Sequence, residues 1–188
     1  MSRRQLFLGR IAGALILWAA AGCVDGDSSG WGAQNDPSME SNIIRVNKFF
    51  SADPWLSFDG EGAGKVDGVR CTVYLESAKQ PKGVFGDGTI VVDMYRLDGA
   101  PSGGKMLTHV FKWELSPQEA YPWRAKKETM MGWGYGLRLN WGKGQDVAGR
   151  RVAFVVRYIR NDGRLISSSR QVLKVPIRGV DRSGMGMH

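Results

Sequence analysis

The 188-residue chain has only two cysteines and two histidines, a scarcity that closes off much of the chemistry a small protein can carry. Two thiols, Cys23 and Cys71, cannot build a disulfide framework. Long hydrophobic runs are missing too. The longest uncharged apolar stretch is the twelve residues from Ile11 to Gly22, well short of the roughly 20 needed to cross a bilayer as a helix. The formal charge is +8, yet no dense block of Lys and Arg like that of a nucleic-acid-binding arm occurs, so nucleic acid is not an expected partner.

What is present at the N-terminus is an address. Arg3, Arg4 and Arg10 precede the short apolar run, and the polar stretch Asp25-Gly-Asp-Ser-Ser-Gly30 follows it. A basic n-region with a short h-region reads as a signal peptide over residues 1–22. Ala20-Ala21-Gly22-Cys23 resembles the lipobox of bacterial lipoprotein precursors, although Ala20 stands where many lipoboxes have Leu. That resemblance implies acylation of Cys23, membrane anchoring through it, and cleavage before it. Ser2-Arg3-Arg4-Gln5-Leu6-Phe7 also resembles a twin-arginine signal, with Leu8 departing from the usual lysine. Val24, with no Asp at that position, points to an outer-membrane anchor if the organism has two membranes. Loss of three arginines with the signal lowers the formal charge from +8 to +5.

Residues 23–42 read as the lipidated cysteine and a flexible tether, rich in Gly, Ser, Asp and Asn. Residues 43–178 carry the folded domain, and residues 179–188 a flexible tail. Strands are expected over Ile43–Phe50, Val69–Ser77, Thr89–Leu97, Lys105–Leu115, Tyr135–Trp141, Arg151–Arg160 and Leu165–Val175. Period-two order is plain in Leu137-Arg-Leu-Asn-Trp141, and it places Val152, Phe154, Val156 and Tyr158 on one face. Asn161-Asp-Gly163 has hairpin turn chemistry. Ser116-Pro117-Gln118-Glu119 has the residues of a capping box for one helical turn. About seven strands with turn punctuation predict an all-β, antiparallel β-sandwich, immunoglobulin-like or transthyretin-like, with a small open β-barrel as the alternative.

Candidate sites are few. Asp59, Glu61 and Asp67 fall at calcium-loop spacing, but Ala63 and Arg70 occupy positions where oxygen ligands belong. Calcium at this degenerate loop is the one cofactor the sequence suggests, against a plain glycine-rich turn. Trp123, Trp133 and Tyr135, the last two within Gly132-Trp-Gly-Tyr-Gly136, are candidate exposed rings for a glycan. Trp113 and Trp141 alternate with apolar neighbours and should fill the core. Phe85, in a long loop from Lys79 to Gly88, can fold back onto the core, and Arg124, Lys126 and Lys127 make a modest basic cluster. Cys71 shares a strand face with Val69, Val73 and Leu75 and reads as a buried small hydrophobe.

No catalytic residues emerge. His109, the only histidine before the terminal His188, shares a face with Leu107, Phe111 and Trp113, and with Cys23 acylated one such His and one Cys cannot supply a three-ligand zinc site of the His/Cys kind. The chain is therefore expected to be a non-catalytic envelope lipoprotein whose domain contacts a protein partner. Its layout resembles small lipoproteins with transthyretin-like sandwiches that serve as secretion-system anchors. A carbohydrate or cell-wall glycan-binding module is the alternative, and an enzyme the third reading.

Overall fold

The computed structural model describes residues 37–58, 66–99, 105–142 and 144–177. The signal segment, Cys23, Asp59, Glu61 and the expected C-terminal tail lie outside the described residues. Ten strands form: β1 (Ile43–Phe49), β2 (Trp55–Leu56), β3 (Gly68–Ser77), β4 (Gln80–Val84), β5 (Thr89–Gly99), β6 (Lys105–Leu115), β7 (Tyr135–Asn140), β8 (Arg151–Ile159), β9 (Leu165–Ser167) and β10 (Gln171–Lys174). One short helix, α1 (Pro117–Ala120), and a 3-10 turn at Tyr121–Trp123 separate β6 from β7.

The strands make two antiparallel sheets. In the first, β3 is central. Its residues 68–73 pair with β7 and residues 75–77 with β4 along one side, while β2 and β1 line the other. In the second, the order is β10-β8-β5-β6, with β9 also on β8. No strand pairing joins the two sheets among the described residues, so the fold is an all-β sandwich and the open barrel is not what forms.

The alternating sequence pattern explains the inner faces. In β7, Tyr135, Leu137 and Leu139 are buried while Gly136, Arg138 and Asn140 are exposed. Val69, Cys71, Val73 and Leu75 of β3 meet Ile90, Val92 and Met94 of β5 and Val152, Phe154, Val156 and Tyr158 of β8 in one apolar cluster. β-branched residues suit these central strands because their restricted χ1 fits a pleated surface. Burying one such side chain as fully as Leu75 contributes about 1.5–3 kcal/mol, and removing its methyls would cost about 2–5 kcal/mol.

Local chemistry sets the boundaries. Ser116 caps α1 through its hydroxyl, Glu119 returns a bond to the Ser116 N–H at 2.8 Å, and Pro117 opens the turn. Arg160 and Arg164 close the β8–β9 hairpin, with Gly163 at φ +82°. The single strand expected over Leu165–Val175 breaks at Ser168. Its hydroxyl accepts the Val156 N–H at 3.0 Å, and the side chain thereby competes with the ladder. Lys48, itself buried, donates to the same hydroxyl at 3.1 Å and to the Ser169 carbonyl.

Three expectations need correction. Residues 80–84, read as loop, are strand β4, although Phe85 does fold into the core as expected. The tether read through residue 42 ends sooner, since Glu40 donates its N–H to the Phe85 carbonyl at 2.7 Å. Trp141 is buried as expected, but Trp113 is only half-buried, its indole N–H donating to the Asn140 carbonyl at 2.7 Å.

Candidate functional site

The feature that the fold leaves most plainly unfinished is the free edge of β6. This strand pairs with β5 alone. Its eleven residues span roughly 37 Å at the usual rise, and along its outer side the backbone groups meet no partner among the described residues. Such an edge is a template for a further strand. Met106 and Leu107 near its start are 54% and 41% exposed, and Val110, Phe111 and Trp113 are only partly covered. A bulge divides the strand, because Met94 pairs with Phe111 and Tyr95 with His109, leaving Val110 over. Three of the eleven residues are charged, Lys105, Lys112 and Glu114, and the last two pair with each other at 2.6 Å.

His109 stands on this edge strand, half-exposed. Its Nε2 lies 3.3 Å from Asp93 Oδ1, and the Tyr95 ring packs edge-on against it at 5.2 Å. Arg157 approaches the other oxygen of the buried Asp93 carboxylate at 2.5 Å. The histidine is thus held to a carboxylate whose charge is already met by an arginine. Cys71 is buried, and desolvation pushes its thiol up to about 12, opposed only partly by the Lys48 ammonium. A thiol held neutral is a poor nucleophile.

The three candidate glycan-binding rings do not share an exposed face. Tyr135 is buried at 1% exposure, its hydroxyl accepting the Gly86 N–H at 3.0 Å, so it cannot stack on a sugar. Alternation with Leu137 and Leu139 turns it inward. Trp123 and Trp133 are half-buried against the core, with Trp133 packed 5.6 Å from the Phe85 ring. The neighbouring glycines serve the chain itself. Gly132, at φ +90°, closes a turn from Thr129, and a Cβ there would stand 2.5 Å from the Gly83 backbone. Two backbone segments meet where a ligand had been expected.

Asp67 is also buried. Its Oδ1 accepts the Phe58 N–H at 2.8 Å, and its own carbonyl accepts the Trp141 N–H at 2.9 Å. It fastens the start of β3 to the strand before it. No group of three or more metal-binding side chains occurs among the described residues. Of the basic cluster, Arg124 is partly buried, its guanidinium 4.5 Å from the Phe85 ring centre and 4.9 Å from that of Tyr121, while Lys126 and Lys127 are exposed.

Two features were missed in the sequence. The exposed Met106 and Leu107 open the run Met106–Phe111, which has no Asp, Glu, Lys or Arg and was visible in the sequence, whereas the opposition of Arg70 to Arg138 on neighbouring strands needed the register.

No family model and no curated protein matches the chain. Among solved structures, it is similar to MtrC from Shewanella baltica OS185 at 10% identity, covering 71% of this chain and 22% of that one, with a TM-score of 0.39. It is also similar to Spo0M, a sporulation control protein from Bacillus subtilis, at 12% identity, covering 72% of this chain and 50% of that one, with a TM-score of 0.37. The chain therefore spans half or less of either structure's length. No helix among the described residues is long and apolar enough to cross a membrane.

Proposed function

We propose that the chain is an exported lipoprotein, anchored through acylated Cys23, whose sandwich acts without catalysis by pairing the free β6 edge with a strand of an envelope protein. The observation that carries the reading is the eleven-residue edge whose outer side has no partner among the described residues, with Met106 and Leu107 exposed near its start. Main-chain bonds supply affinity in strand addition, and alternate side chains supply specificity. The bulge at Val110 and the Lys112–Glu114 pair restrain indiscriminate pairing, which fits one selected partner better than open association. The buried Cys71 thiol, held neutral, supports a binding role over a catalytic one.

The lipobox resemblance supports the anchor, and Val24 supports outer-membrane placement in a two-membrane cell. Both parts can be tested in the producing cell. An alkyne fatty acid fed to cells should label the wild-type chain and leave Cys23→Ala unlabelled; equal labelling of both excludes the anchor. A photo-crosslinking residue at position 107 should join the full chain to one partner, and one at Met130, 96% exposed on a distant turn, should not. Leu107→Lys should abolish capture by a crosslinker at position 106. Capture that survives this change, or that occurs equally from position 130, rules against the edge.

A further inference from the structure

The outer face of the first sheet carries an arrangement that the fold does not explain. Arg70 of β3 and Arg138 of β7 are direct cross-strand partners, and both are exposed. Like charges placed opposite one another destabilise a sheet. Neither guanidinium has a carboxylate of a described residue at ion-pair distance. Arg70 donates to the Asp53 carbonyl at 3.1 Å, and Arg138 lies over the Phe58 ring at 5.8 Å. Two fixed cations thus face solvent side by side.

Next to them runs the row Phe49–Thr72–Gly136 across three strands. A Cβ on Gly136 would meet nothing within 4 Å, and its φ is ordinary, so neither packing nor backbone conformation calls for glycine there. Glycine inside a strand weakens it and marks a bulge, a tight bend, or close approach by another backbone or a ligand; β7 pairs with β3 without a bulge and no backbone lies near Gly136, which leaves the last. The missing side chain leaves a hollow of about 280 Å³ bordered by Phe49, Ser51, Arg70, Thr72, Gly136 and Arg138. Phe49 is 47% exposed, with its orientation fixed by the edge of Tyr74 at 5.6 Å.

We infer that this hollow binds the oxyanion of an acidic sugar, a uronate carboxylate or a sulfate ester, with Arg70 and Arg138 on the anion and the Phe49 ring against the sugar. Planar guanidiniums match such oxyanions through paired N–H bonds. The Thr72 and Ser51 hydroxyls border the hollow where sugar hydroxyls would lie. A rigid aromatic face beside paired donors favours a ring-shaped ligand over an extended acidic peptide. The site lies on the sheet opposite to β6, so its test is independent of the edge-pairing proposal.

The test is calorimetric titration of the full chain with tetragalacturonate, chondroitin sulfate tetrasaccharide, cellotetraose and a short polyglutamate. Binding of one or both acidic sugars, and not of cellotetraose, is expected. Arg70→Gln and Arg138→Gln should each weaken it by about tenfold or more. Gly136→Val should also abolish it with no fall in melting temperature, since the new side chain enters open space. Failure of both acidic sugars to bind overturns the inference, as does affinity retained in Gly136→Val. So does an equal loss in the control Lys126→Gln/Lys127→Gln, which would mean diffuse charge attraction. Polyglutamate binding as tightly as the sugars, with the same dependence on both arginines, overturns the assignment to a sugar.

Discussion

Removing the Tyr158 hydroxyl tests whether the turn before β5 is held by buried side chains rather than by its own sequence. Tyr158 Oη accepts the Gly88 N–H at 2.6 Å and reaches Asp87 Oδ1 at 3.4 Å, while Tyr135 Oη accepts the Gly86 N–H at 3.0 Å. Both rings are buried. In Tyr158→Phe the Gly88 N–H loses its acceptor. A Cβ on Gly88 would already lie 2.2 Å from the Ile159 carbonyl, so the surroundings are tight, and the space left by one oxygen is too small for a well-bonded water. An unsatisfied buried donor costs about 1–3 kcal/mol. The same loss is expected for Tyr135→Phe. Because the two hydroxyls hold residues two apart in one short turn, the double variant should fall short of additivity by about 0.5 kcal/mol or more.

Urea unfolding measures these differences as a lowered midpoint at unchanged slope. Burial also raises both phenol pKa values above the ordinary 10.0. A fold that binds the phenol proton more tightly has that stability in full below pH 10, and loses it as pH rises above 10 through the elevated folded values. The wild-type midpoint should therefore drop on the alkaline side, and the double Phe variant should show a smaller drop. Single variants within about 0.5 kcal/mol of wild type, together with an unchanged alkaline profile, would refute the reasoning.

Two other residues give direct tests. In a Cys23→Ser form, Cys71 should resist a disulfide reagent in mildly alkaline buffer and react stoichiometrically in concentrated guanidinium, because its buried thiol is pushed up to about 12. Rapid labelling of the folded chain would contradict its burial. Calcium should leave the melting temperature unchanged, whereas Asp67→Ala should lower stability by about 1–3 kcal/mol through loss of the acceptor for the Phe58 N–H. A calcium-dependent rise that disappears in Asp67→Ala would establish the metal loop.

How much of this was legible in the sequence depended on whether a signal was local or needed a partner. The α1 turn was readable because Ser116, Pro117 and Glu119 form its cap among themselves. The alternation of β8 correctly predicted a buried face through Val152, Phe154, Val156 and Tyr158. Applied equally to Tyr135-Gly-Leu-Arg-Leu139, the same rule would have turned Tyr135 inward with Leu137 and Leu139, and removed it from the glycan candidates. β4 was hidden for a different reason. Gln80-Pro-Lys-Gly83 has turn composition, and it becomes a strand because β3 offers a ladder beside it at Leu75–Ser77.

The free edge and the outer hollow were hidden for a third reason, that both are consequences of register. Arg70 and Arg138 could each be assigned to an outward position from neighbours on its own strand, but only the pairing of β3 with β7 sets them face to face. Gly136 makes the same point more sharply. In the sequence it is one of three alternating glycines, and turn chemistry would account for all of them. In the fold, Gly132 needs its positive φ and Gly134 would strike the Tyr74 ring at 2.8 Å, whereas Gly136 borders open space. Valine there should favour the strand by about 0.5–1 kcal/mol over glycine. A glycine that weakens its strand and answers no demand from conformation or packing is accounted for by what must approach from outside, and the paired arginines beside it specify the charge of that visitor.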